Sequence, residues 1–188
     1  MPCFGPEQAC HEGVLIGHWL TGYGEIEVQA CMCVIVAEGN LDSPIRKIFE
    51  KRGAETRIEN LRDALQTDFA RAGLLPDLKE ALDDMDWCRQ IRKQYCHCAW
   101  YWTSEEGLCF VNLEDLAKQP TYILGLTDTK HRIDVTLLAA QENFFFYVKE
   151  FFQHLASAYS VWDLGRSRGK AGPPHPKPTK LARPPLHK

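Results

Sequence analysis

Residues 76–98, with the sequence PDLKEALDDMDWCRQIRKQYCHC, decide the fold that the sequence predicts. Apolar side chains recur in this stretch at steps of three and four residues, which is the spacing of one face of an amphipathic helix. They are Leu78, Ala81, Leu82, Met85, Cys88, Ile91 and Tyr95. Pro76 stands directly before the pattern, where proline is well tolerated at the start of a helix. We therefore predict a long helix from Asp77 to about Cys98 that buries one face.

Similar spacing predicts further helices on both sides of this one. They cover about residues 14–38, 44–51, 54–72, 113–118 and 134–162. Ser43 is the predicted N-cap of the second helix and Asp134 that of the last, because such side chains accept hydrogen bonds from the first free backbone amides. The last helix is apolar around much of its circumference, so we predict that it is buried on more than one side.

Residues 98–113, CAWYWTSEEGLCFVNL, differ from the flanking helices in being rich in aromatic and β-branched side chains. This composition around a Glu-Glu-Gly turn predicts a β-hairpin, and residues 121–126 are a further candidate strand. The predicted fold class is therefore mainly α: an antiparallel helical bundle with a small β-hairpin insertion between the last two long helices.

Charge and proline are distributed unevenly along the chain. The chain has 22 Lys and Arg and 25 Asp and Glu, but the residues from Gly165 onward hold seven of the basic side chains and none of the acidic ones. We predict an irregular lead-in at 1–13, a helical domain at 14–164 and a disordered basic, Pro-rich tail at 165–188. Such a tail has too little apolar surface to offset the entropy lost on ordering. It is a candidate arm for an acidic or nucleic-acid partner, although a solubilising extension is the commoner role of such a composition.

The predicted compartment follows from two features of the sequence. There is no uninterrupted run of about 18 apolar residues, and the N-terminal segment MPCFGPEQAC lacks the basic and apolar regions of a signal peptide. We therefore expect a cytoplasmic protein without a membrane-spanning helix. Its eight cysteines are then expected to stay reduced, and we predict neither a metal ion nor a cofactor.

Arg92 and His97 form the strongest candidate site, in the segment RKQYCH near the predicted end of the long helix. Five helical residues span about 500°, so the two side chains converge only if the helix ends near His97 and the chain turns toward the hairpin. Histidine serves as a general acid or base near neutral pH, and arginine holds a phosphate through two hydrogen bonds. The pair has the parts for RNA cleavage without a metal: His97 takes the proton of a ribose 2′-hydroxyl while Arg92 stabilises the phosphate.

This motif resembles that of the HEPN superfamily of helical-bundle proteins, in which four to six residues separate an Arg from a His toward the end of a long helix. The resemblance covers residues 14–163, and the segment YGEIE at 23–27 is also similar to the first helix of that family. It implies a metal-independent ribonuclease that acts on RNA as a homodimer, with Arg92 and His97 as its catalytic residues.

The supporting residues of this site are Glu27, which the resemblance of the first helix implies, and Lys93 and Tyr95 within the RKQYCH segment. Lys93 departs from the family, where a small polar residue, often Asn, follows the arginine, because lysine lacks the acceptor of an amide. Residues 1–164 also carry 15 basic and 25 acidic side chains, a balance of −10 that repels RNA at long range. The alternative hypothesis is therefore a non-catalytic binding or scaffold protein of the same fold.

Three other interpretations of this region are weaker. A zinc site would combine residues 96–98 with Cys88 or Cys109, but this spacing lacks the pair of cysteines two to four residues apart that zinc sites commonly use. A thiol nucleophile in the same segment would need an activating histidine, and neighbouring side chains point apart on a helix. The aromatic residues 100–102 are able to stack unpaired bases, although hairpin packing is the commoner use of such side chains.

Overall fold

The structure is a computed structural model that describes residues 10–40, 42–50, 53–103, 105–118, 130–169 and 172–187. Within these ranges the chain forms six helices and three strands. In chain order they are α1 (Cys10–Glu38), α2 (Asp42–Phe49), α3 (Ala54–Arg71), α4 (Leu75–Cys96), β1 (Cys98–Thr103), β2 (Gly107–Asn112), α5 (Leu113–Leu116), β3 (Lys130–Arg132) and α6 (Val135–Arg168). The predicted fold class is confirmed, since the chain is mainly helical with a small antiparallel sheet between two long helices.

The chain divides into two compact units. Unit 1 comprises residues 1–21, 90–143 and 184–188, and unit 2 comprises residues 22–89 and 144–183. The boundaries fall inside α1, α4 and α6 and inside the tail, where composition and turn residues give no signal of a division. For this reason the sequence predicted one helical domain without a linker.

The core of unit 2 is built mainly from α1, α3, α4 and α6, and α2 adds the buried Ile48. The apolar stripe predicted for α4 is buried here from Leu78 to Cys88, and α1 and α3 add stripes at the same spacing. The part of α6 in unit 2 buries side chains on several faces, as predicted from its apolar circumference. Its buried apolar side chains are Phe144, Phe145, Tyr147, Val148, Phe151, Phe152, Leu155 and Tyr159. Hydrophobic burial thus accounts for most of the stability that the sequence encodes in this unit.

Helix α1 differs from the prediction at its start and in its composition. It begins at Cys10, so part of the predicted irregular lead-in is helical. By length and composition alone, Glu12–Glu38 is also apolar enough to cross a membrane. A search for an uninterrupted apolar run does not detect this window, because it contains a few polar residues, and the expectation that no helix spans a membrane stays a prediction. In unit 2 the apolar side chains Tyr23, Ile26 and Val34 of this helix are buried in the protein, as in any core helix.

The sheet of unit 1 has the strand order β1-β2-β3 and is antiparallel throughout. The hairpin is confirmed, and Gly107 after its turn has a φ of 75°, a conformation that glycine adopts without strain. Strand β3 was not predicted, because Lys-His-Arg shows no alternation of apolar and polar residues. The candidate strand at 121–126 lies outside the described residues.

Two helix ends test the predicted capping residues. Asp134 is the N-cap of α6, since its Oδ1 accepts from the amides of Thr136 (2.9 Å) and Leu137 (3.2 Å). Helix α2 begins two residues earlier than predicted, at Asp42 rather than Pro44. Ser43 therefore lies inside the helix, and Asn40 accepts from the amide of Asp42 at 2.9 Å instead. An asparagine side chain commonly accepts from the amide two residues later, so the first free amide of α2 already has a partner.

The tail differs most from its prediction. Residues 165–168 continue α6, and residues 172–187 (hereafter the tail segment) are extended and contact both α4 and α6 through side chains and backbone. The argument from composition considers only the apolar surface that the tail buries by itself. It does not include ion pairs and ring contacts with surfaces that the rest of the chain supplies.

Candidate functional site at the end of helix α4

The candidate site begins where α4 ends. The last helical residue is Cys96, His97 lies in the turn, and β1 starts at Cys98. This is the break that the predicted Arg92–His97 site requires. The side chain of His97 is 62% exposed, so the imidazole is accessible to a ligand from solution.

The register of the hairpin determines which residues meet His97. Cys98 pairs with Asn112 at the open end of the hairpin, and the amide of Leu113 donates to the carbonyl of His97 at 2.8 Å. The side chain of Asn112 is the N-cap of α5, since its Oδ1 accepts from the amide of Glu114 at 2.9 Å. Hairpin pairing and this cap together bring Glu114 beside His97.

His97, Glu114 and Lys93 form a cluster of exposed charged side chains, hereafter the α4-end cluster. The Nε2 of His97 lies 3.9 Å from the Oε1 of Glu114, and the Nζ of Lys93 lies 3.5 Å from its Oε2. The carboxylate of Glu114 thus lies within ion-pairing distance of both His97 and Lys93. The sequence did not single out Glu114, because its position beside His97 depends on the hairpin register.

Arg92 occupies a different environment from His97. Its side chain is half-buried, and its Nε has no contact with solvent. The predicted catalytic residues thus differ in access: His97 is open to solution, while part of the Arg92 guanidinium lies within the protein. Lys93, one residue further along α4, is the cation that meets the same carboxylate as His97.

The other two supporting residues lie in packed surroundings. The hydroxyl of Tyr95 donates to Gln141 at 3.0 Å, and its ring stacks on Trp100. Burial raises the pKa of Tyr95, so this phenol stays protonated. Glu27 lies in unit 2, where the Nη1 of Arg57 donates to its Oε1 at 2.8 Å and the carboxylate is buried. Trp100 is half-buried and stacks on Tyr95. This side chain therefore packs within the protein, as is common for aromatic residues of a hairpin.

The cysteines near the site were considered above as zinc ligands and as a thiol nucleophile. Among the described residues, no group of three or more His, Cys, Asp or Glu side chains is placed to hold a metal ion. The thiol of Cys98 donates to the carbonyl of Gln94 at 3.0 Å, and burial raises its pKa to about 12. Burial also raises the pKa of Cys88 well above its usual value. These two thiols are therefore poor nucleophiles at neutral pH.

Gln94 and Tyr95 of the RKQYCH segment contact the C-terminal end of the tail. The Nε2 of Gln94 donates to the carbonyl of His187 at 2.6 Å, and its Oε1 accepts from the amide of His187 at 3.0 Å. The imidazole of His187 packs edge-on against Tyr95 and Phe110, with ring centroids 5.8 and 5.4 Å apart. Gln141 donates to the carbonyl of Pro185 at 3.1 Å. Bonds to backbone groups have no signature in the sequence, so this contact was not predicted.

The burial of His187 predicts a pH-dependent contact. Burial lowers the pKa of His187 and the charge of His131 lowers it further, while Asp134 opposes the decrease. Because the bound imidazole holds its proton less tightly than a free one, this contact is strongest above the ordinary pKa of about 6.5 and weakens as the pH falls through the lowered value. NMR titration of the full chain is expected to give a His187 pKa below about 6.5, with loss of the Gln94 side-chain contact on acidification.

A matched variant distinguishes this effect from a general effect of acid. His187→Phe keeps an aromatic ring but has no titrating group, so the contact of Gln94 with the tail is expected to persist to lower pH. A His187 pKa at or above that of an exposed histidine would contradict the buried position.

Known proteins give no further guide to this site. Comparisons with models of protein families, with characterised proteins and with solved structures produced no match. The function is therefore argued from the chemistry of the α4-end cluster and of its neighbour Arg92.

Proposed function

We propose that the protein is a metal-independent endoribonuclease of the HEPN type that cleaves RNA through its 2′-hydroxyl. The observation that supports this most is the exposed His97 in the turn after α4, with the carboxylate of Glu114 3.9 Å from its Nε2. An accessible imidazole beside a carboxylate is a common arrangement of a general base. Glu114 acts as a positioning residue, since it favours one orientation of the ring.

The proposed reaction needs only groups of the protein and water. His97 removes the proton of the 2′-hydroxyl, and the 2′-oxygen forms a bond to the adjacent phosphorus while the bond to the 5′-oxygen of the next nucleotide breaks. That oxygen takes a proton from water, and His97 returns its own proton to solution. The products are a 2′,3′-cyclic phosphate and a 5′-hydroxyl. DNA lacks the nucleophile and is not cleaved.

The charges around His97 are suited to a single phosphate. Lys93 lies beside the same carboxylate as His97, and in this proposal Arg92, one residue earlier on α4, turns its guanidinium toward the bound phosphate. The site then has two positive charges against the one negative charge of Glu114. The excess positive charge opposes the charge that develops on the phosphorane. The acidic surface of residues 1–164 acts against long-range attraction of RNA, so binding depends on these local contacts. A homodimer with two such sites, as in the family that the motif resembles, is part of the same proposal.

Removal of His97 is the decisive test. His97→Ala is expected to lower the rate of cleavage of a fluorescently labelled RNA pool by about 100-fold or more, because proton transfer is lost. Arg92→Ala is expected to lower the rate by a similar factor through lost charge stabilisation. The rates are measured in EDTA, with DNA of the same sequence as a negative substrate and circular dichroism as the check of folding.

His18 offers a matched control within unit 1. Its side chain is also 62% exposed, and its Nδ1 lies 2.8 Å from the carboxylate of Glu142, so it repeats the local chemistry of His97 away from RKQYCH. His18→Ala is expected to leave cleavage unchanged. Equal losses in the two histidine variants, or cleavage that survives His97→Ala, would contradict the proposal.

A binding or scaffold role is the second candidate function. It is favoured by the contacts of Gln94 and Tyr95 with His187, since two residues of the RKQYCH segment then serve to bind a peptide segment. Absence of RNA cleavage by the folded wild-type protein would exclude the nuclease and support this second role.

A further inference from the structure

Three ion pairs in unit 2 join the tail segment to α4. The Nζ of Lys177 lies 2.8 Å from Asp77, Lys180 pairs with Glu80, and the Nε of Arg183 donates to Asp84 at 2.8 Å. The order of the pairs shows that this part of the tail runs in the same direction as α4. All three cations come from a stretch of seven residues in which every third residue is basic.

The spacing of these charges follows from two backbone periods. Proline-rich chains favour the polyproline II helix, which has three residues per turn, so a cation at every third position faces one side. On an α-helix, residues three and four positions apart share a face, as Asp77, Glu80 and Asp84 do. Along an extended chain the cations are about 9 Å apart, while the acidic residues on the helix are about 5 Å apart. The long side chains of lysine and arginine span this difference, so the three pairs form in the same order on both elements.

Aromatic rings and backbone bonds add contacts that charge alone does not require. The ammonium of Lys177 lies 5.0 Å from the ring centroid of Phe151, and the guanidinium of Arg183 lies 5.9 Å from that of Trp87. Both backbone groups of His175 have partners on α6. Its carbonyl lies 2.6 Å from the Nδ1 of His154, and its amide donates to the hydroxyl of Ser157 at 2.8 Å. Recognition thus includes cation–π contacts and a fixed backbone.

Asp84 is the most buried of the three acidic residues. It is 3% exposed, and its burial raises its pKa, while Arg183 and Lys180 of the tail act in the opposite direction. Removal of the partner of a buried charge is unfavourable because the charge is left uncompensated. The surface under the tail is therefore poorly suited to remain empty, and it favours a cationic occupant.

We propose that this surface is a peptide-binding site for extended, Pro-rich segments of other proteins that carry a basic residue at every third position. The acidic groove is defined by Asp77, Glu80, Asp84 and Trp87 on α4 and by Phe151, His154 and Ser157 on α6. The protein's own tail is its intramolecular ligand and competes with such partners. This inference concerns unit 2 and does not depend on RNA cleavage.

Exchange of the tail for a partner is compatible with the strength of its contacts. The side chains of Lys177, Lys180 and Arg183 remain between 45 and 71% exposed, so solvent weakens their ion pairs, and Asp84 alone among the three acidic partners is buried. The tail is favoured mainly because it is covalently attached, which gives it an effective concentration of about millimolar. A partner with the same pattern at sufficient concentration therefore displaces it.

The first experiment opens the groove in the full chain. The variant Lys177→Glu, Lys180→Glu and Arg183→Glu repels its own tail, and its fold is verified by circular dichroism and thermal melting. The probe is a fluorescein-labelled peptide of residues 172–183, followed by anisotropy. We expect this peptide to bind the variant at least about tenfold more tightly than wild type, whose tail competes intramolecularly.

Two matched controls test the sequence and the site. A scrambled peptide of identical composition keeps the charge but loses the three-residue spacing, and it is expected to bind at least about tenfold more weakly. Asp84→Asn in the opened variant is expected to weaken the native peptide by a similar factor. Equal binding of the two peptides, no effect of Asp84→Asn or no binding by the folded variant would each overturn the proposal.

The rate of trypsin cleavage measures release of the tail in the wild-type protein. Trypsin does not cut Lys–Pro and Arg–Pro bonds, so the bond between Lys180 and Leu181 is the one it cleaves within 172–187. The competitor is unlabelled peptide 172–183 with Lys180→Arg, so that its own fragments differ in mass from those of the protein. Its addition is expected to speed cleavage of the protein after Lys180 at least several-fold. A rate that stays constant while the peptide is shown to bind would contradict competition for one groove.

Discussion

Phe152→Ala is expected to lower the free energy of unfolding by about 3–5 kcal/mol, the usual effect of removing a large aromatic side chain from a core. The Phe152 side chain is fully buried in unit 2, and its backbone carbonyl accepts from the thiol of Cys33 at 3.5 Å. Truncation removes the buried apolar surface and leaves a cavity that close-packed neighbours fill only in part. The measurement is urea denaturation followed by circular dichroism.

Phe146→Ala is the matched control on the same helix. Phe146 is 54% exposed and meets the ammonium of Lys149 at 4.7 Å from its ring centroid. Its loss is expected to change the free energy of unfolding by about 1 kcal/mol or less. Similar losses in the two variants would contradict the assignment of which α6 face is buried, and this comparison therefore tests the packing of unit 2 directly.

Arg57→Ala is expected to destabilise the protein by about 2–4 kcal/mol, because it leaves the buried carboxylate of Glu27 without its partner. The two side chains retain little exposure, 25% and 9%, and are 2.8 Å apart. The guanidinium of Arg57 also lies 4.8 Å from the ring centroid of Phe49, so its loss removes a cation–π contact as well. Thermal melting and urea denaturation give the change in stability.

Arg62→Ala on the same helix provides the control for an exposed pair. The Nη2 of Arg62 lies 3.7 Å from Asp83, the two side chains are 46% and 62% exposed, and such a pair contributes about 1 kcal/mol or less. The double variant Glu27→Leu, Arg57→Leu is expected to recover much of the stability that Arg57→Ala loses, since no charge is then left buried. If the double variant is as unstable as Arg57→Ala, the attraction between the two charges itself stabilises the protein. The loss in Arg57→Ala would then not come from leaving Glu27 unpaired.

The same variants bear on the role of Glu27. The sequence suggested it as a supporting residue of an RNA site, by resemblance of the first helix. Its ion pair with Arg57 in unit 2 gives it a structural role that needs no ligand. If Arg57→Ala destabilises the fold as expected, effects of Glu27 variants on any activity must first be corrected for loss of folded protein.

The sequence by itself determined the helices, the hairpin and the cap at Asp134. These features depend on residues within one or two turns of each other, and hydrophobic periodicity and N-cap chemistry are local properties of the chain. The end of α4 near His97 is also local, since aromatic and β-branched residues follow directly. The candidate catalytic residues Arg92 and His97 were accessible to sequence reasoning for the same reason.

Only the tertiary structure decided which partners these residues meet. Glu114 reaches His97 through the register of the hairpin and the cap by Asn112, Glu27 meets Arg57 30 residues away, and Arg183 meets Asp84 99 residues away. Such pairs depend on how distant elements pack, and the identity of a charged residue says little about its partner. The tail shows this most clearly: its composition predicted disorder, while the acidic and aromatic surface formed by two distant helices gives it a defined path.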